Sequence, residues 1–375
     1  MSGMMPNPET VEIQTADGVT LRCRRYRKPG ARAVVCGHGL ASSAYAFDLP
    51  LYGFNIARVL YGLGYEVWLV NFRGAGHPPW RSDDGGWGGA GDELGVFDLP
   101  AVIEHVYRET GRPVFYIGHS FGGMSIYVYL QGAVMEPGDP ERKVHRDAAE
   151  AERRNQMVAG ALTVGSMSVL VDDPRPPLLE RISRFPRVKR ALRRFEDWLN
   201  RRAATRPGLG IGRLSRRLGF RHPWLAGLIM SSPFLDLYMV YRNMGFEACR
   251  LFGIWAGGDV ALREVAQTVR DIRTGALSSY APEGHEPFDY GAGMGEITTP
   301  LVAAAGTEDF IRPFHVKGGV IDRVSSERRW FIEMKGYGHV DMLYHLPYAR
   351  IMAFLEEGSM GPDTRATMPT GGEEG

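Results

Sequence analysis

No stretch of this sequence reaches the roughly eighteen consecutive apolar residues that a membrane-crossing helix needs. Net charge is also nearly absent. The 44 Lys and Arg against 43 Asp and Glu leave a formal +1, so overall charge gives no reason to expect a nucleic-acid partner. Cysteine is scarce: Cys23, Cys36 and Cys249 are too few for a disulfide framework, and their spacing fits no zinc site. The first ten residues have neither a basic start nor an apolar stretch and do not read as a secretory leader, so a reducing, cytoplasmic setting is the expectation. What is present is ordinary for a packed globular chain, with 44% hydrophobic and 23% charged residues. At 375 residues the chain suits one core carrying a large insertion.

The hydrophobic patterning supports that division. Val11 to Tyr26 reads as a hairpin about Ala16-Asp17-Gly18, and Arg32 to Cys36 as a buried strand entering Gly37-His38-Gly39. Helical spacing follows at Phe54 to Leu63, then a strand at Tyr65 to Val70, a helix at Leu94 to Tyr107, and a strand at Pro113 to Ile117 that runs into a helix from Ser120. Strand-helix alternation of this kind means crossover units and a mostly parallel sheet. The rhythm holds through Val158 to Val164 and breaks. It resumes with strands at Leu301 to Ala305 and Trp330 to Met334 and a last helix near Tyr348 to Glu356. An α/β core at 11–171 and 300–357, a mainly helical insertion at 172–299 and a disordered tail at 358–375 are therefore expected. The charged stretch Glu136 to Asn155 reads as a second, smaller insertion.

Gly118-His119-Ser120-Phe121-Gly122 is a G-x-S-x-G motif between an apolar strand and a helix, where a serine can sit on a sharp turn with its hydroxyl exposed. Small neighbours are required on both sides of such a turn, and the free N–H groups of the helix start favour negative charge. A serine hydroxyl is a weak nucleophile and needs a base, and His suits that role near neutral pH. His339, in Gly336-Tyr337-Gly338-His339-Val340-Asp341 just past the last strand, is the candidate. The orienting acid should follow the preceding strand, which makes Asp309 the candidate, with Glu308 beside it. Asp172 or Asp173, after the strand before the insertion, could supply the acid instead. Asp341 reads as a loop-ordering carboxylate.

The negative charge of a tetrahedral intermediate needs backbone N–H donors. Phe121, next to the nucleophile, offers one. The loop Gly37-His38-Gly39-Leu40-Ala41 offers the other, with Leu40 N–H as the candidate and His38 as a residue that ties the loop down. No metal or organic cofactor is implied.

These pieces in this order resemble the α/β-hydrolase fold superfamily, and within it the acid lipase group of gastric and lysosomal type. The resemblance rests on Gly37-His38-Gly39-Leu40-Ala41-Ser42, the segment Gly64 to Gly74, Asp98 to Glu104, Gly118 to Gly122, Phe288-Asp289-Tyr290-Gly291, Gly306 to Asp309 and Gly338 to Asp341. It implies Ser120, Asp309 and His339 as the triad, Leu40 and Phe121 as oxyanion donors, a lid insertion, and carboxylic esters with apolar acyl chains as substrates. The acid lipases usually carry Gln where this chain has Phe121. An acyltransferase, a carbon–carbon bond hydrolase and a catalytically silent binding protein are the alternatives on this fold.

Within the insertion, Leu178, Ile182, Phe185, Val188, Leu192, Phe195 and Leu199 recur at helical spacing, with Pro186 expected to split the run. Fifteen Arg or Lys lie between Arg175 and Arg221 against Glu180, Glu196 and Asp197. Such a segment reads either as a solvated face over a packed lid or as a contact for a lipid surface. Trp224, Leu225, Leu228, Ile229, Met230, Phe234, Leu235, Leu237 and Tyr238 are candidates for an acyl pocket or for lid core.

Overall fold

The computed structural model describes residues 5–83, 91–173, 185–203, 205, 208–230, 238–281 and 284–358. Its centre is an eight-stranded sheet. The strands are β1 (Glu9–Gln14), β2 (Thr20–Tyr26), β3 (Ala33–Gly37), β4 (Glu66–Asn71), β5 (Val114–His119), β6 (Val158–Val164), β7 (Leu301–Gly306) and β8 (Arg329–Met334). Their spatial order is β1-β2-β4-β3-β5-β6-β7-β8. The hairpin β1-β2 and the β2-β4 pair are antiparallel, and every other pairing is parallel.

Burial explains the strand sequences. Strands β3, β4, β5 and β7 are buried along their whole length, so they read as near-continuous apolar runs. Alternate residues of β5 serve two cores: Tyr116 packs with the cluster that holds α2 (Leu99–Thr110) and α3 (Phe121–Leu130). Phe115 and Ile117 pack with the cluster that holds α1 (Ile56–Gly62) and α10 (Tyr348–Glu357). The edge strand β1 instead alternates between solvent and core. Arg73 fastens the hairpin turn to the body, reaching Asp17 at 2.8 Å and Asp98 at 2.6 Å.

Two expectations are refined. The helix expected from Leu94 opens with a wide turn, Leu94–Asp98, before α2, whose second residue Pro100 has no N–H to give. The stretch read as a small insertion is in its second half a helix, α4 (Ala148–Met157), packed on α3 and leading directly into β6. Asp147 caps it, accepting from the N–H groups of Ala149 and Glu150.

Between β6 and β7 the described residues form α5 (Pro186–Ala203), α6 (Ile211–Arg221), α7 (Pro223–Met230), α8 (Tyr241–Leu251) and α9 (Leu262–Thr274). Pro186 is the first residue of α5, the position where a missing N–H costs nothing; Leu178, Ile182 and the tail from 359 lie outside the described residues. Helix α5 turns Leu199 and Ala203 inward onto Leu262 and Ala266 of α9, and Glu196 accepts from Arg270 at 2.6 Å and Arg273 at 2.9 Å. Among the described residues no helix is long and apolar enough to cross a membrane. All three cysteines are free and buried.

Candidate active site

The turn after β5 is built for close approach. Ser120 sits at φ 52 and ψ -117, outside the regions that L residues favour, as the residue preceding α3. Its own N–H donates to Val164 O at 2.7 Å, and its carbonyl accepts from Ser166 Oγ at 2.8 Å, so the end of β6 and the turn just past it hold the strained peptide on both sides. Glycine is required at the flanks. A Cβ on Gly118 would lie 2.6 Å from the Gly123 backbone, and one on Gly122 would lie 2.6 Å from His38 O. Among the described residues the Ser120 hydroxyl makes no hydrogen bond; it is left at the wall of a cavity.

His339 reaches that cavity from the loop after β8 and is almost fully buried. Its Nδ1–H donates to Asp309 Oδ2 at 2.9 Å, with Oδ1 at 3.1 Å. Asp309 follows β7 and accepts a further hydrogen bond from Ile311 N–H at 2.7 Å. Burial pushes its carboxyl above the usual range, opposed by His339 and by these hydrogen bonds. Phe310 lies against the imidazole at 4.5 Å between ring centres, and a Cβ on Gly165 would come within 2.8 Å of Nδ1. The imidazole is thereby confined to one orientation.

The other carboxylates stand elsewhere. Glu308 and Asp172 are exposed, and Asp173 pairs with Arg312. Asp341 accepts from the N–H groups of Val240 and Gly338 and from Asn243 Nδ2, tying the His339 loop to the start of α8.

The loop after β3 approaches from the opposite side. Both nitrogens of His38 are occupied: Nδ1–H donates to Gly39 O at 2.8 Å, and Nε2 accepts from Phe72 N–H at 3.2 Å. Burial pushes this imidazole down to about 4, so it stays neutral. Gly39 passes so near the elbow that a Cβ there would be 3.0 Å from Ser120 Cβ. Leu40 and Phe121 both line the cavity. Among the described residues, neither backbone N–H has a hydrogen-bond acceptor.

The cavity measures about 650 Å³ and is mostly apolar, with Leu40, Phe121, Met124, Met167, Leu170 and Ile272 in its wall. Of the residues considered for an acyl pocket, Tyr238 lines it. Trp224, Leu228 and Ile229 are instead exposed, and Phe234, Leu235 and Leu237 lie outside the described residues. Sequence reasoning also missed His119, whose Nε2–H donates to the His339 carbonyl at 3.0 Å and whose ring is pushed down to about 3 by burial and by His339. It occupies the variable position of the motif, which carries no signal.

The sequence matches the model of the Alpha/beta hydrolase family over residues 34–352. It is similar to Lipase 1 of Drosophila melanogaster, 36% identical over 126 residues that make up 32% of this chain and 29% of that protein. It is likewise similar to human gastric triacylglycerol lipase, 37% identical over 131 residues, 31% of this chain and 33% of that one. The matched segment thus spans about a third of the length of these relatives. Among solved structures, an alpha/beta hydrolase from Novosphingobium aromaticivorans superposes with a TM-score of 0.52 at 16% identity, covering 94% of this chain and 99% of that chain. At that identity the likeness is one of fold.

Proposed function

We infer that this chain, which belongs to the alpha/beta hydrolase family, cleaves carboxylic esters through a covalent intermediate on Ser120. The observation that carries the reading is the short His339–Asp309 hydrogen bond at the cavity where the strained Ser120 presents its hydroxyl. In this reading Ser120 Oγ attacks the ester carbonyl as His339 Nε2 takes its proton. Asp309 keeps the proton on Nδ1 and stabilises the imidazolium. The N–H groups of Leu40 and Phe121 receive the developing oxyanion. His339 then gives its proton to the leaving alcohol, and a water activated by the same ring releases the acid. The apolar wall favours esters with apolar acyl chains, which agrees with the lipases to which the chain is similar.

The insertion 172–299 acts as a lid over this cavity and makes the contact with a lipid surface. Support comes from its composition and exposure: Phe195 and Trp198 on α5, Leu214 and Leu218 on α6 and Trp224 on α7 face outward among arginines. The test of the chemistry is Ser120→Ala. Turnover of a short-chain 4-nitrophenyl ester should fall by about 10⁴-fold or more with the circular dichroism spectrum unchanged. Retained turnover would remove the reading.

A further inference from the structure

Part of the cavity wall is one face of α9. Thr268, Asp271 and Ile272 line it at spacings of three and four, the spacing that puts side chains side by side on a helix. Asp271 is out of place there. It is 3% exposed in a mostly apolar cavity. Its Oδ1 is satisfied, accepting from Ser278 N–H at 3.0 Å and Ser278 Oγ at 2.8 Å. Nothing among the described residues bonds to Oδ2. The neighbouring polar groups are already engaged: Thr268 Oγ1 donates to Glu264 O of its own helix, Gln267 serves Asp92 and Ser278 O, and Arg312 pairs with Asp173. A carboxyl oxygen that faces a cavity with no partner among the described residues is available to whatever enters that cavity.

We propose that Oδ2 of Asp271 is a substrate-binding atom, which takes a hydroxyl or oxo oxygen carried on the chain of the substrate away from the reacting carbonyl. Burial raises this carboxyl above its usual range against the pull of Ser278, which favours the form with an O–H to donate. Oδ1 accepts from both Ser278 donors, which leaves Oδ2 to carry the proton toward the cavity. A plain alkyl chain in the same place leaves that donor unmatched, so the site discriminates by penalty as well as by attraction. This assignment rests on the cavity being the substrate site of the ester-cleaving reading. It makes the substrate class an oxygenated acyl ester rather than a simple fatty one.

Binding separates this assignment from the chemistry. On a Ser120→Ala background, calorimetric dissociation constants are measured for methyl octanoate and for methyl octanoates bearing a hydroxyl or oxo group at successive carbons. One position in the series should bind about ten- to a hundredfold tighter than the plain ester. Asp271→Leu should erase that difference. Asp271→Asn should keep it, because the amide donates through Nδ2 while its oxygen still accepts from Ser278; it also serves if the leucine variant does not fold. A flat series, including one in which no member binds, overturns the assignment, as does a preference that survives Asp271→Leu. Turnover of the plain ester by the parent chain is scored separately. Turnover with a flat series sinks Asp271 alone, whereas a position-specific preference without any ester turnover sinks the hydrolytic reading alone.

Discussion

Helices α3 and α6 are nearly the same length and meet the rest of the chain in opposite ways. All ten residues of α3 are buried, large and small alike, and the helix is apolar on every side. In α6 only Gly212 and Gly219 are buried, while Ile211, Leu214, Leu218 and Phe220 face outward. A Cβ on Gly212 would lie 2.5 Å from the Gly258 backbone, so α6 packs by its smallest residues and presents its largest to the surroundings. The difference teaches that burial and amphipathicity answer separate demands. Around Ser120, contact on all sides holds a strained peptide in place. In α6, the apolar residues are left exposed.

That contrast can be broken or sharpened by measurement, beginning with the largest expected effect. Asp309→Asn keeps the size of the side chain and removes its charge, so kcat on a chromogenic ester should drop by about 10³- to 10⁴-fold with little change in KM. Equal activity would mean that the carboxyl beside His339 is ornamental.

The acid sensitivity of the core comes next. His38 and His119 are neutral and buried, with folded-state values near 4 and 3 against an ordinary 6.5, burial being the first cause in both. A depressed folded value means that the unfolded chain binds more protons below pH 6.5. Stability from these groups is therefore present above 6.5 and lost as pH falls toward 4. Urea denaturation between pH 7 and 4 should show an acid-induced loss in His38→Gln smaller than the parent's by about 3 kcal/mol, and parallel curves would contradict it.

Gly122→Ala brings a methyl against the backbone of the loop after β3 and should cost about 1–3 kcal/mol, together with most of the activity. Gly257→Ala, whose nearest neighbour would be 3.6 Å away, should cost far less. The smallest effect on folding belongs to α6. Leu214→Ser with Leu218→Ser should change stability by less than about 0.5 kcal/mol. The same pair should lower partition onto vesicles containing phosphatidylserine several-fold; a variant that unfolds would show these leucines to be core.

The elements around Ser120 were legible because β3, β5 and β7 are buried on both faces and because Gly37 ends the first, Ser120 follows the second directly and Asp309 stands just beyond the third. The parallel arrangement follows from the alternation of strands and helices. Less was legible wherever the partner is remote in sequence. His119 bonds a carbonyl 220 residues away, and Gly165 matters only because His339 arrives beside it. The α4 segment read as an excursion because its exposed face is charged, while Ala151 and Arg154, which turn inward, are too few to mark a packed helix. The apolar residues of α7 read as pocket or lid core, since sequence periodicity reports that a helix has two faces without reporting which one is covered.

Sequence alone determined the local geometry: where the chain must extend, where only glycine permits the backbone to turn, and which residue types can exchange a proton near neutral pH. Those are properties of neighbours along the chain. Tertiary structure decided which carboxyl stands beside His339, which face of α6 is outward, and that Asp271 of α9 shares a cavity with Ser120. These are contacts between segments thirty or more residues apart or choices between two faces of one helix, and they arise only when the whole chain closes on itself and burial selects among them.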